Sequence, residues 1–191
     1  MVDLKSVEIE TNSSFLNIYK FNDNNLLDRC IEESKDKLED VGTRKVSFFS
    51  DFVTDNYMYG DVRVCKSQKL TPALKEMLYL INERFNSDYN GIIINYYKNG
   101  LNYIEKHSDS QNHPPNGVLL ISYGGLRNFR IFDKITDVKV KDIPLIMGEM
   151  VHMGGNFQSQ FTHDLEQDET ITSERYSISL HKYMGLGLYD D

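Results

Sequence analysis

The sequence predicts a single α+β domain of mainly β character, an antiparallel sandwich or jelly roll with two helices buttressing one face. Three observations predict it. From residue 90 onward, β-rich runs follow one another without a helical pattern between them, each broken by Gly, Pro, Asn or Asp. Before residue 90, two segments instead carry apolar residues at helical spacing. No repeat, low-complexity tract or Pro/Gly/Ser linker interrupts the 191 residues, a length suited to one domain with a sizeable core.

Taken in order, residues 24–40 read as a first helix. Asp23 stands at the capping position, and Leu26, Leu27, Cys30, Ile31 and Leu38 form a rough stripe. A firmer helix spans about 72–86, with Thr71 as N-cap and Pro72 in the first turn. Leu74, Met77, Leu78, Ile81 and Phe85 line one side of it, as a brace packed on a sheet would require. The strands follow as "GIIINYY", "GVLLISY", "RNFRIFD", "TDVKVKD", "PLIMGEMVHMG" and "ERYSISLHKY". Helix and strand are thus segregated along the chain, which favours a layered sandwich over alternating βα units. Met147, Met150 and Met153 read as core filling.

Composition bounds the function classes. Hydrophobic residues make up 40% and charged residues 26%, the balance of a soluble globular chain. No window approaches the ~20 apolar residues of a membrane span, and "MVDLKSVEIETNS" lacks the pattern of a secretory leader. Cys30 and Cys65 stand alone, consistent with a reducing compartment. The expectation is an intracellular, cytoplasmic protein, with a nucleus or a virus-infected cell as alternatives and a monomer as the default. A net charge of −8 argues against a large nucleic-acid footprint. Basic residues do gather locally, at Arg44, Lys45, Arg63, Lys66 and Lys69 and again at Arg127, Arg130, Lys134, Lys139 and Lys141.

The stretch "NYYKNGLNYIEKHSDSQ" carries the first chemical signal. Read as a strand, it places His107 and Asp109 on one face, offering a nitrogen and an oxygen ligand to a metal. A second histidine from a distant strand would complete a two-His-one-carboxylate set, which leaves positions open on Fe(II). His113, His152, His163 and His181 are the candidates. An H-x-D pair alone is weak and is more often a surface hydrogen bond. The last strand strengthens it. Alternation from Arg175 puts Ser177, Ser179 and His181 on its face and Tyr176, Ile178 and Leu180 on the other. An inward arginine there could hold the far carboxylate of 2-oxoglutarate, or could instead pair with Asp164 or Glu166 at the surface. On "IIINYY", Asn95 and Tyr97 share a face in the same way.

With these residues in place the sequence resembles the AlkB family of Fe(II)/2-oxoglutarate dioxygenases, most closely its DNA-repair demethylases. The likeness spans roughly residues 42–183. It runs through "NYYKNGLNYIEKHSD" (N-x-Y, glycine, H-x-D), "ISYGGLRNFRIF", "IMGEMVHMGGNFQSQFTH" and "RYSISLHKY", with "TRKVSFFSDFVTDNYMYG" similar to the family's substrate lid. The order and distances of these motifs are far more specific than any one of them. The resemblance implies a double-stranded β-helix (a cupin-like jelly roll) over 90–185. Residues 1–89 would then form a helical extension and nucleotide-recognition lid of one 1–191 domain.

It also implies His107, Asp109 and His163 as catalytic iron ligands, leaving His113 and His152 as non-ligands. Asn95, Tyr97, Arg175, Ser179 and His181 are implied as the 2-oxoglutarate pocket. Fe(II), 2-oxoglutarate and O2 would be the reactants beside the substrate. His181 stands where the family has a second arginine, so the resemblance implies weaker or pH-dependent cosubstrate binding. Ser50, Gly60–Asp61 and Gln111 also depart from the family's pattern. The implied reaction is oxidative demethylation of N-alkylated bases such as N1-methyladenine or N3-methylcytosine, in DNA ahead of RNA, releasing formaldehyde and succinate. Tyr59, with Tyr57 beside it, would stack on a flipped base, and Arg44, Arg127 and Arg130 would contact phosphates. Ordinary sheet tyrosines and a solvated arginine face are the plainer readings of those two groups. The alternatives are a hydroxylase of another modified base or of a protein side chain, and a non-catalytic nucleic-acid binder.

Overall fold

The computed structural model describes residues 2–52, 57–59, 63–109 and 117–183, with backbone alone at 57–59 and 63–65. In chain order the elements begin with β1 (Val2–Glu10), β2 (Ser14–Phe21), α1 (Asn24–Glu32), β3 (Glu39–Asp40), β4 (Lys45–Phe49), β5 (Tyr57–Tyr59), β6 (Arg63–Cys65), β7 (Ser67–Gln68) and α2 (Pro72–Phe85). They continue with β8 (Gly91–Tyr97), β9 (Ile104–His107), β10 (Val118–Gly124), β11 (Arg127–Asp133), β12 (Lys139–Leu145), β13 (Glu149–Gly155), α3 (Phe157–Gln160), β14 (Phe161–Leu165) and β15 (Arg175–His181).

Eight of these strands build the roll. The larger sheet runs β1-β2-β13-β10-β15-β8-β4-β3, and the smaller runs β12-β11-β14-β9. From β8 to β15 the chain passes back and forth between the sheets, with antiparallel neighbours in both. This is the double-stranded β-helix. Consecutive strands mostly fall in opposite sheets, and Gly124 (φ +90°) takes a left-handed conformation where β10 of the larger sheet leads into β11 of the smaller.

Each sheet face has its own apolar content. On the outer face of the larger sheet, Ile92, Ile94, Ile121, Ile178 and Leu180 pack against Leu26, Leu27 and Cys30 of α1 and Leu74, Met77 and Ile81 of α2. Between the sheets, Leu16, Ile18, Val151 and Met153 meet Phe129, Ile131, Ile143 and Leu145. Both helices start as their sequences predict. The Asp23 side chain accepts from the Leu26 N–H at 2.9 Å, and the Thr71 hydroxyl accepts from the Leu74 N–H at 3.3 Å. Asn86 closes α2 in a left-handed conformation (φ 48°).

Three expectations are corrected. The first helix ends at Glu32 and not at 40, because its apolar stripe stops at Ile31 and the following "EESKDK" offers the sheet nothing to bury. Residues 1–89 are not simply a helical extension: β1 and β2 form a hairpin that widens the larger sheet beyond β13, and β4 pairs with β8 on its other side. "TDVKVKD" and "PLIMGEMVHMG" are cut differently, as β12 from Lys139 and β13 from Glu149, with a turn at Gly148 (φ +78°) between them. Among the described residues, no helix is long and apolar enough to cross a membrane.

Candidate metal centre

Alternation along β15 sorts its side chains between two worlds. Tyr176, Ile178 and Leu180 enter the helix-facing core, while Arg175, Ser177, Ser179 and His181 line a pocket between the sheets. On β8, Ile92 and Ile94 go outward, and Ile93, Asn95 and Tyr97 go inward to the same pocket. The opposite wall comes from the smaller sheet, with His107, Phe129, His163 and Leu165, and Asp109 just past the end of β9.

His107 and His163 sit directly opposite one another across the β9–β14 pair, their ring centroids 4.4 Å apart. The sequence expects His107 and Asp109 to share a strand. In fact β9 ends at His107, and Asp109 turns back from its tip. His163 lies at the middle of β14. The Asp109 carboxylate lies between the imidazoles, Oδ1 at 3.7 Å from His107 Nε2 and Oδ2 at 3.6 Å from His163 Nε2. One ligand atom from each of the three residues lies within 4.8 Å of the others.

These separations are too long for hydrogen bonds and suit three donors surrounding one cation. His107 Nδ1 lies 2.7 Å from the Glu105 carbonyl, so an Nδ1–H donating there leaves the Nε2 lone pair directed at the pocket. Burial pushes the His163 imidazolium down to about 3, so the ring is neutral near pH 7 despite the opposing pull of Asp109. Burial raises the Asp109 carboxyl, but His163 and His107 outweigh it and hold the group well below the usual carboxylate range. A neutral His163 imidazole and an ionised Asp109 carboxylate are the forms in which these groups bind a divalent transition metal. His181, half-buried at this site, is pushed down by desolvation and His107 against the pull of Asp109.

The far end of the pocket is cationic. Arg175 is 2% exposed, donates from Nε to Ser122 Oγ at 3.2 Å and stands 5.4 Å from the Tyr97 ring centroid. No carboxylate of the described residues pairs with it. Asp164 and Glu166, its alternative partners at the surface, both go to Arg130. Burial pulls the guanidinium down to about 10, with Tyr97 opposing and Arg127 reinforcing, and the group stays charged. A buried cation without an anion is costly, and this one borders the pocket between the sheets.

The three arginines expected at phosphates have other tasks. Arg127, 2% exposed, donates to the backbone carbonyls of Asn99 (3.3 Å), Asn102 (3.0 Å) and Glu166, stapling two loops. Arg130 is held bidentate by Asp164 at 2.8 and 2.7 Å and also binds Glu166. Arg44, 5% exposed, donates from Nε to Asn95 Oδ1 at 2.7 Å, positioning that pocket amide from behind. All three side chains are engaged by other groups of the fold. The side chains of Tyr57 and Tyr59, and His113 and Gln111, lie outside the described residues. His152 packs in an aromatic group with Phe15, Tyr19 and Phe85 and does not line the pocket.

A family model described as the 2OG-Fe(II) oxygenase superfamily matches residues 32–185. No curated protein matches the sequence significantly. Among solved structures, OsALKBH1 superposes with a TM-score of 0.63 at 13% identity, covering 93% of this chain and 100% of that one. A Pseudomonas putida prolyl-4-hydroxylase superposes with a TM-score of 0.52 at 12% identity, covering 88% and 92%. These two likenesses speak to the fold.

Proposed function

Because the chain belongs to the 2OG-Fe(II) oxygenase superfamily, whose members use Fe(II), 2-oxoglutarate and O2, we propose that it is an oxidative demethylase of N-alkylated nucleic-acid bases. One observation carries the oxygenase part. The buried, unpaired Arg175 shares a pocket with the converging His107, Asp109 and His163. The AlkB-like motifs in the sequence support the choice of substrate, DNA ahead of RNA.

In this reading His107, Asp109 and His163 hold the metal and leave positions free beside it. When bound, Fe(II) with 2-oxoglutarate and O2 supplies the oxidation of an unactivated C–H bond, coupled to decarboxylation of 2-oxoglutarate to succinate. Arg175 neutralises the cosubstrate's distal carboxylate, and Ser122 and Tyr97 fix the guanidinium plane. Asn95, Ser179 and His181 provide polar contacts along the cosubstrate's length. Ile93, Leu120 and Phe129 close the walls with apolar surface, which keeps water from competing for the reactants. Hydroxylation of an N-methyl carbon gives a hemiaminal, which loses formaldehyde and restores the base. Residues 90–185 act as the catalytic roll, and the segment around β5 and β6, with Tyr57 and Tyr59, faces the substrate as a lid. The protein acts as a monomer.

A second reading keeps the centre and changes the target to a protein side chain. Its motive is specific: Arg44, Arg127 and Arg130 are all consumed internally, leaving fewer cations for phosphates on a chain of net charge −8. Incubation with Fe(II), 2-oxoglutarate and oligonucleotides carrying N1-methyladenine or N3-methylcytosine tests the first reading. Loss of 14 mass units per lesion with stoichiometric formaldehyde is the expected result. Succinate formed only with peptide substrates, and none with methylated oligonucleotides, would replace it with the second.

A further inference from the structure

Gln158 is a residue that neither the motifs nor the resemblance singles out. It lies on α3, is 5% exposed, and directs its amide at Asp109. Its Oε1 accepts from the Asp109 backbone N–H at 2.9 Å, and its Nε2 donates to Asp109 Oδ2 at 3.2 Å. A carboxamide has one acceptor and one donor side by side, and here each meets its complement on a single residue. The pair fixes both the backbone and the side-chain torsions of an aspartate that hangs beyond the end of β9, where no ladder hydrogen bond holds it.

The helix is itself tied down. Lys134 Nζ donates to the Gln158 carbonyl at 3.1 Å and to Ser108 Oγ at 3.0 Å, and Ser108 Oγ donates to the Phe161 carbonyl at 3.0 Å. Residues 108 and 109 are therefore clamped to α3 from both sides.

We propose that Gln158 is a positioning residue for the metal centre, holding the Asp109 backbone and carboxylate in the orientation that faces both His107 and His163. The inference rests on the metal-binding reading of His107, Asp109 and His163. Partners of this kind typically govern affinity by 10–100-fold when removed.

The test is Mn2+ binding to the full chain, followed by loss of the free-ion electron paramagnetic resonance signal, with Co2+ absorption as a report on coordination. Gln158→Met keeps the length and apolar packing of the side chain while deleting both hydrogen bonds. Its Mn2+ Kd is expected to rise about 10–100-fold, with an altered Co2+ visible band and a melting temperature near that of the parent. Lys134→Met, an exposed position whose loss leaves the core intact, is expected to raise Kd several-fold. Asp109→Ala is the reference and should abolish binding.

If Asp109→Ala abolishes binding while both other variants bind within twofold of the parent with an unchanged Co2+ spectrum, Gln158 does not position the ligand and the proposal fails alone. A lower melting temperature for Gln158→Met at unchanged Kd would have the same meaning, since it marks a purely structural role. Undiminished Mn2+ binding by Asp109→Ala would overturn the metal centre, and this proposal with it.

Discussion

The two faces of β15 are made by the same seven residues and are buried to a similar depth, yet they do opposite things. Tyr176, Ile178 and Leu180 meet side chains that complement them, and every apolar surface there is covered by another. Arg175, Ser177 and Ser179 are equally hidden and His181 is half-buried, but among the described residues no carboxylate pairs with Arg175. Burial on the helix side contributes to stability. Burial on the pocket side works against it at Arg175, a cost that the carboxylate of a bound cosubstrate would offset under the proposed function. A strand of alternating character thus joins a wall that resists change to a wall that waits for a ligand.

The largest effect expected from breaking this contrast is at the centre itself. His163→Ala and Asp109→Ala should each eliminate succinate formation in a coupled assay, because two remaining donors cannot retain the ion under turnover conditions. Next comes stability on the opposite face. Ile178→Ala should cost about 2–5 kcal/mol in denaturant unfolding, the range for truncating a fully buried side chain, while leaving the KM for 2-oxoglutarate unchanged. Arg175→Met should show the reverse. It should weaken 2-oxoglutarate binding by about 1.5–3 kcal/mol, roughly ten- to a hundredfold, with unfolding free energy equal to or above the parent's. If Arg175→Met destabilises the protein as Ile178→Ala does, the two faces are not different in kind.

The pH dependence of the metal-free protein sharpens the same point. His163 binds its proton more weakly folded than unfolded, as its imidazolium is pushed to about 3 from an ordinary value near 6.5. The unfolded chain therefore holds more protons in this window, and stability should fall as pH drops from about 6.5 toward 3. Asp109, held below its ordinary range, adds loss of the same sign further down. In His163→Phe, urea midpoints measured across this window should flatten. The smallest effect is at Cys30, in the helix-facing core. Burial lifts its thiol to about 12, so iodoacetamide at pH 8 should leave it unmodified until the chain is unfolded.

Much of this was legible beforehand because β8 and β15 are long, central and strictly alternating, so a period of two assigns each side chain a face. The capped start of α2 was legible for an equally local reason. What escaped depends on distant partners. The β1–β2 hairpin reads as polar and carries two register shifts, at Leu4/Ser6 and Val7/Ile9, which blur its alternation. β9 and β14 are too short to show a period. Arg127 offers five donors to whatever lies nearby, and its acceptors are backbone carbonyls at 99, 102 and 166, which no sequence pattern displays. Gln158 carries no charge and titrates at no pH, so nothing in its surroundings in the chain marks it as a neighbour of Asp109.

The facing of His107 and His163 across two adjacent strands sets an order of events in the life of the protein. The chain must finish β14, long after β9 has emerged, and close the roll before both imidazoles stand together. Capture of the ion would thus be a late step of maturation, and a loaded centre would report that β9 and β14 have paired in register.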